Sequence, residues 1–117
     1  MQKLLKKQNL GIRDLQAFHQ WFDQEKQFDT DMLRNIAYLS EEVGEVVNAV
    51  RTLKRANDPA SVNMAQEHLG DELADCLAYI LKLANYAGID LQEAYRRKME
   101  RNLSRTWYKK VEGETGL

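Results

Sequence analysis

The chain has 117 residues, 44% of them hydrophobic and 30% charged, with a formal net charge of −1. Such a balance fits one globular domain, excludes a disordered chain, and gives no electrostatic case for nucleic acid or an acidic membrane as partner. A single cysteine, Cys76, excludes an internal disulfide and a cysteine-rich zinc site, and no apolar run approaches the roughly 20 residues of a membrane span.

The basic N-terminus "MQKLLKKQNL" lacks the long apolar core and cleavage site of a signal peptide. It reads as a frayed tail over residues 1–11, with the cytoplasm as the location. A first helix is expected from about Ile12 to Glu25, where Ile12, Leu15, Phe18, His19 and Phe22 recur on one face. A second is expected from about Asp31 to Arg55, capped by Thr30. In "ANDPAS", Asp58 is a cap and Pro59 suits the first turn of a third helix, which runs to about Ala87 and stops at Gly88. Asp90 and Glu93 form a capping-box pattern that opens a fourth helix ending near Trp107, followed by a tail over residues 108–117. With no strand alternation and no linker, the expected architecture is an all-α four-helix bundle forming a single domain, core 12–107, completed by a second copy.

Two segments repeat a pattern: "LSEEVGEVVNAVRTL" from Leu39 and "LGDELADCLAYILKL" from Leu69. At about 100° per residue, Met32, Ile36, Leu39, Val43, Val46, Val50 and Leu53 form one stripe, and Leu69, Leu73, Cys76, Leu77, Ile80 and Leu83 another. Glu42 and Glu72 fall inside these stripes, Glu45 and Asp75 at their edges, and Glu41 and Asp71 further out. A solvated-surface reading suits Glu41, Asp71 and Glu67. It does not suit Glu42 and Glu72, which the apolar faces draw inward. A buried salt bridge is the other structural reading, but Arg34, Arg51, Lys54 and Lys82 lie mostly off the stripes. Two carboxylates about 5 Å apart repel by roughly 3 kcal/mol at an effective dielectric near 20. Four together would repel by an amount comparable to a domain's whole stability, about 5–15 kcal/mol. A divalent cation removes that repulsion, and oxygen-only donors point to Mg²⁺ or Mn²⁺ rather than zinc or copper. A di-iron site wants Glu-x-x-His motifs, which are absent. His68 reads as a partly buried polar group one turn before Glu72, and His19 as a helix-face residue near the core.

In the fourth helix Lys98, Asn102 and Arg105 share a face at spacings of four and three. A cation, an amide and a guanidinium in a row suit phosphate oxygens. Lys82, two turns beyond Asp75, is a further phosphate candidate, and Lys54 complements its helix dipole. Trp21 lies off the first helix's apolar stripe and suits either stacking on a base or packing on a partner subunit. Phe18, Phe22, Phe28, Tyr38, Tyr79 and Cys76 read as core.

"EEVGE" followed by "ELAD" resembles the E-E-x-x-E … E-x-x-D signature of the MazG-like nucleoside triphosphate pyrophosphohydrolases, and "KMERNLSR" resembles that family's K-x-x-x-N-x-x-R segment. The resemblance covers roughly Thr30 to Trp107. It implies an all-α fold, Mg²⁺ bound by Glu42, Glu45, Glu72 and Asp75, and a triphosphate met by Lys98, Asn102 and Arg105. For Glu41 it leaves three roles open: holding a second ion, orienting a water, or general base, the last shared as a candidacy with Glu45. It further implies hydrolysis of a dNTP or non-standard nucleotide to the monophosphate and pyrophosphate, in a homodimer or dimer of dimers. Phosphoribosyl-ATP pyrophosphatase activity and a non-catalytic helical interaction module are the competing readings.

Overall fold

The structure is a computed structural model that describes residues 2–105, in which all regular structure is helical. A short 3₁₀ turn, Gln2–Lys6, precedes four α-helices: α1 Ile12–Lys26, α2 Met32–Arg55, α3 Pro59–Tyr86 and α4 Leu91–Ser104. The 3₁₀ turn contacts α1, and Lys7 reaches Asp14 at 3.2 Å, so the segment expected to fray is held by local contacts.

The caps follow local chemistry. Asp31, not Thr30, caps α2: its carboxylate accepts from the Arg34 backbone N–H. An aspartate carboxylate beside the positive end of a helix gains charge as well as geometry over a threonine hydroxyl. Asp58 caps α3 ahead of Pro59, and Asp90 caps α4. After α3 the chain turns at Gly88, whose φ of 69° suits glycine. Helix α4 ends at Ser104, short of Trp107, which lies outside the described residues.

Only three residues, 56–58, separate α2 from α3, so the two long helices form an antiparallel hairpin and pack along each other. Helix α1 lies against α3, and α4 packs chiefly on α1. Gln16, buried on α1, ties these elements: its amide donates to Asn85 Oδ1 and to the Ile89 carbonyl, and its Oε1 accepts from the Leu91 N–H.

The fully buried apolar residues are few and mostly small: Ala49, Ala65, Leu81 and Ala84. The stripes expected to be core are only partly covered. Ile36, Val43 and Val50 on α2, with Leu73, Leu77 and Ile80 on α3, are each between 40% and 51% exposed. Small residues line one seam between the two helices, and among the described residues α4, packed on α1, leaves the other face of the hairpin uncovered. No helix among the described residues is long and apolar enough to cross a membrane.

Candidate active site

The hairpin brings the repeated acidic segments face to face. One carboxylate oxygen from each of Glu42, Glu72 and Asp75 lies within 4.8 Å of the others. Glu42 and Glu72 are half-buried and Asp75 is exposed, so the group opens to solvent on one side. Burial raises the Glu42 pKa from its ordinary value. A hydrogen bond with Glu72 and repulsion from Asp75, Glu72 and Glu45 add to the shift. Burial, then the same three clustered acids, pushes the Cys76 thiol up, and burial with Glu42 and Asp75 does so for the Tyr79 phenol. The acids repel one another in this group, and His68 Nε2 stands 3.9 Å from Glu72 Oε1.

Glu45 is exposed and outside the close triplet, yet near enough to act on Glu42. Glu41 is exposed. Lys98 is exposed on α4, whose packing is against α1 rather than along the acidic hairpin. Asn102 is half-buried and its amide contacts Met99 Sδ at 3.7 Å; Arg105 follows the last residue of α4.

A cavity of about 410 Å³ opens beside the carboxylates, with Asp75 in its wall. Its other walls include His19, Asp23, Phe28, Asn35, Tyr38, Tyr79 and Lys82. A second hollow, of about 430 Å³ around Gln20, Gln24 and Asn85, holds none of the clustered acids and shares only Asp23 with the first. Lys82, expected to face phosphate, is buried in the first cavity's wall. Its Nζ pairs with Asp23 Oδ1 at 3.2 Å and lies 5.1 and 5.2 Å from the Phe28 and Tyr79 ring centres. The rest of Asp23 is taken by the Tyr86 hydroxyl, whose pKa burial and that hydrogen bond drive far up. Asp29 accepts from Arg34 and from the Tyr38 hydroxyl, and this pairing holds its carboxyl well below the usual range.

Phe28, read from sequence as core, is 43% exposed, because it lies between α1 and α2 and borders the cavity rather than the seam. Trp21 is half-buried and stacks on Phe22 at 6.1 Å. Sequence reasoning missed Asp23 and Asn35. Asn35 lies one turn before Leu39 on its helix's apolar stripe, and Asp23 follows Phe22 one turn after His19. That was the available signal.

An oxygen-only cluster of this kind fits a hard divalent cation: the donors are carboxylates, close enough to share one ion, and their mutual repulsion is relieved by one. A helical hairpin that presents such a group from two facing helices defines a class of metal-dependent α-helical site. The chain belongs to the MazG nucleotide pyrophosphohydrolase domain family, whose pattern it matches over residues 30–107. It is also 38% identical, over 72 residues, to a dATP/dGTP diphosphohydrolase of Cyanophage S-2L. That match covers 62% of this chain and 54% of the relative, so the chain spans about half the length of the protein it resembles.

Proposed function

We propose that the protein hydrolyses a nucleoside triphosphate to the monophosphate and pyrophosphate, using Mg²⁺ or Mn²⁺ held by Glu42, Glu72 and Asp75 with Glu45 at the margin. The observation that carries this is the convergence of three carboxylate oxygens within 4.8 Å beside a cavity able to take a small ligand. Membership of the MazG family and the name of the phage relative support the reaction class and a deoxynucleotide as substrate.

When bound, such an ion polarises a phosphoryl oxygen and acidifies a water. The chain's own contributions are distinct. Glu42 and Glu72, half-buried, supply fixed negative charge with little freedom to turn away. Glu41 and Glu45, exposed at the rim, are placed to orient a water or accept its proton. Lys98 and Arg105 neutralise charge that grows on the pyrophosphate. Since α4 packs on α1, we place their contact with substrate in a homodimer, with the α4 of one copy serving the acidic hairpin of the other. The half-exposed apolar faces of α2 and α3 are the surface such a copy would cover.

The test is pyrophosphate release from a panel of NTPs, dNTPs and phosphoribosyl-ATP, with Mg²⁺ and with chelator. Release from at least one dNTP that needs the metal is expected. Absence of release from every nucleotide would leave the acids as a binding surface and end the enzymatic reading. Release from phosphoribosyl-ATP alone would move the assignment to histidine synthesis.

A further inference from the structure

Helix α1 is fastened to the hairpin by polar groups. Its buried residues are Gln16 and Asp23, and α4 has none, whereas the buried apolar residues Ala49, Ala65, Leu81 and Ala84 all belong to α2 and α3. The aromatic rings of α1 partly cover one another: Phe18 lies 5.9 Å from Trp21 and 5.3 Å from Phe22, centre to centre. Gln16 and Asp23 stand two turns apart, and both reach the end of α3. The Gln16 amide donates to Asn85 Oδ1 and to the Ile89 carbonyl, and the Asn85 amide donates back to the Gln16 carbonyl. Asp23 pairs with Lys82 at 3.2 Å and accepts from the Tyr86 hydroxyl. Around these pins the seam is hollow. At about 100° per residue, His19 and Phe22 fall on one flank of Asp23 and line the cavity beside the carboxylates, while Gln20 and Gln24 fall on the other and line the second hollow.

We propose that α1 and α4 form one cover that detaches from the α2–α3 hairpin as a cooperative unit and so opens the cavity beside the carboxylates. The two are tied to each other where they meet: Arg13 pairs with Asp90 at 2.8 Å, and Gln16 Oε1 accepts from the Leu91 N–H. Each connection to the hairpin passes from cover to hairpin within one peptide. The Phe28 N–H donates to the Asp23 carbonyl on α1, while Asp29 is held by Arg34 and Tyr38 of α2. The Ile89 N–H donates to the Ala84 carbonyl on α3, while Asp90 caps α4. Beside these points stand Gln27 and Gly88, with φ of 54° and 69°, and hinges sit at such element ends. Parting the seam returns its hydrogen-bonding groups to water, which replaces most of what each bond contributed. A buried ion pair exposed as a pair regains the hydration of both partners, unlike one that has lost a partner. Apolar burial is not replaced by water, and it lies within the hairpin. Once detached, helices of 15 and 14 residues do not keep their shape alone. His19, Phe22 and Asp23 leave the cavity wall with the cover, and Tyr38, Asp75, Tyr79 and Lys82 stay. The cover is a property of the fold, so it stands or falls independently of the hydrolase reading.

The test is native-state hydrogen exchange of the full chain, without nucleotide, in rising urea below the unfolding transition. The Phe18 and His19 amides report α1, Ala94 reports α4, and Ala49 and Leu81 report the hairpin. The α1 and α4 amides should converge on one opening constant with one urea dependence, on the order of 100-fold larger than that of the hairpin amides. An α1 that opens only with the hairpin overturns the proposal, because the chain then unfolds as a whole. Separate opening constants and urea dependences for α1 and α4 overturn it too, because each helix then frays by itself. Tyr86→Phe adds a second arm. It removes a bond between α3 and Asp23 and leaves α4 unaltered. The opening constants at Phe18, His19 and Ala94 should rise together by about 10-fold. A rise confined to α1, or no rise at all, ends the proposal.

Discussion

Glu42→Gln is the most informative single change, because the charge cluster predicts opposite effects on stability and activity. In the native protein three carboxylate oxygens lie within 4.8 Å of one another. At that separation a pair of unit charges repels by about 1 kcal/mol at the dielectric of water and by about 3.5 kcal/mol at an effective value of 20. Glu42 is half-buried and Asp75 exposed, so the lower part of that range applies, and protonation of Glu42 would relieve part of it. An amide at this position keeps the shape and removes two repulsive pairs. The metal-free melting temperature should rise by a few degrees, on the basis of about 4 °C per kcal/mol for a chain this size. Calorimetry at pH 8 in chelator is the assay, followed by the same scan in millimolar Mg²⁺. The native protein should gain stability from Mg²⁺, as any specific ligand of the folded state confers. The variant should gain much less and should release no pyrophosphate. A fall of several degrees in the metal-free scan would refute this reasoning, because it would mean that Glu42 makes a stabilising ion pair. So would a native melting temperature indifferent to Mg²⁺.

The buried pair Asp23–Lys82 should behave in the reverse way: Lys82→Met leaves a carboxylate uncompensated in the cavity wall and should cost about 3 kcal/mol, near 10 °C in melting temperature. Asp23→Asn combined with Lys82→Met should recover part of that loss, and a single variant within 2 °C of the native protein would show the pair to be energetically idle. His19 is held neutral, its pKa lowered from 6.5 mainly by burial. The unfolded chain therefore takes up its proton first as pH falls. Stability is full above about pH 6.5 and should decline as pH falls below it, a slope that His19→Gln should flatten in urea titrations at each pH. Lys98→Ala, at an exposed site, should leave the melting temperature unchanged while lowering kcat/KM by at least tenfold; unchanged turnover would remove α4 from the substrate site.

The four helices were legible because their signals are local. Apolar residues at helical spacing, the aspartate caps Asp58 and Asp90, Pro59 and Gly88 all act within a turn or two of chain. The carboxylate face was legible for the same reason: a spacing of three fixes which acids share a side of a helix, and a short connection makes the two helices face one another. Asp23–Lys82 and the bonds around Asn35 were not legible. The first joins α1 to the far end of α3, and the second depends on where the α1–α2 connection places two backbone carbonyls. Neither leaves a periodic trace.

The partly covered stripes carry a separate lesson about what periodicity measures. Leu39, Val46 and Leu53 are half-buried, while Ile36, Val43 and Val50 on the same stripe stay open. A hydrophobic pattern states that a face is to be covered; it does not say by which chain. Here the inner seam is closed by alanines at 49, 65 and 84, and the larger side chains point to the flank that α4 leaves bare. The acids sit on this same hairpin, so an occupant of that flank would also enclose the site and lower its dielectric, strengthening every charge interaction within it. Covering the flank and completing the site are then one event, and sedimentation of the native protein should show an assembly larger than one chain wherever turnover is measurable. Full turnover by a strictly monomeric species would separate the two and require α4 to swing onto the hairpin of its own chain.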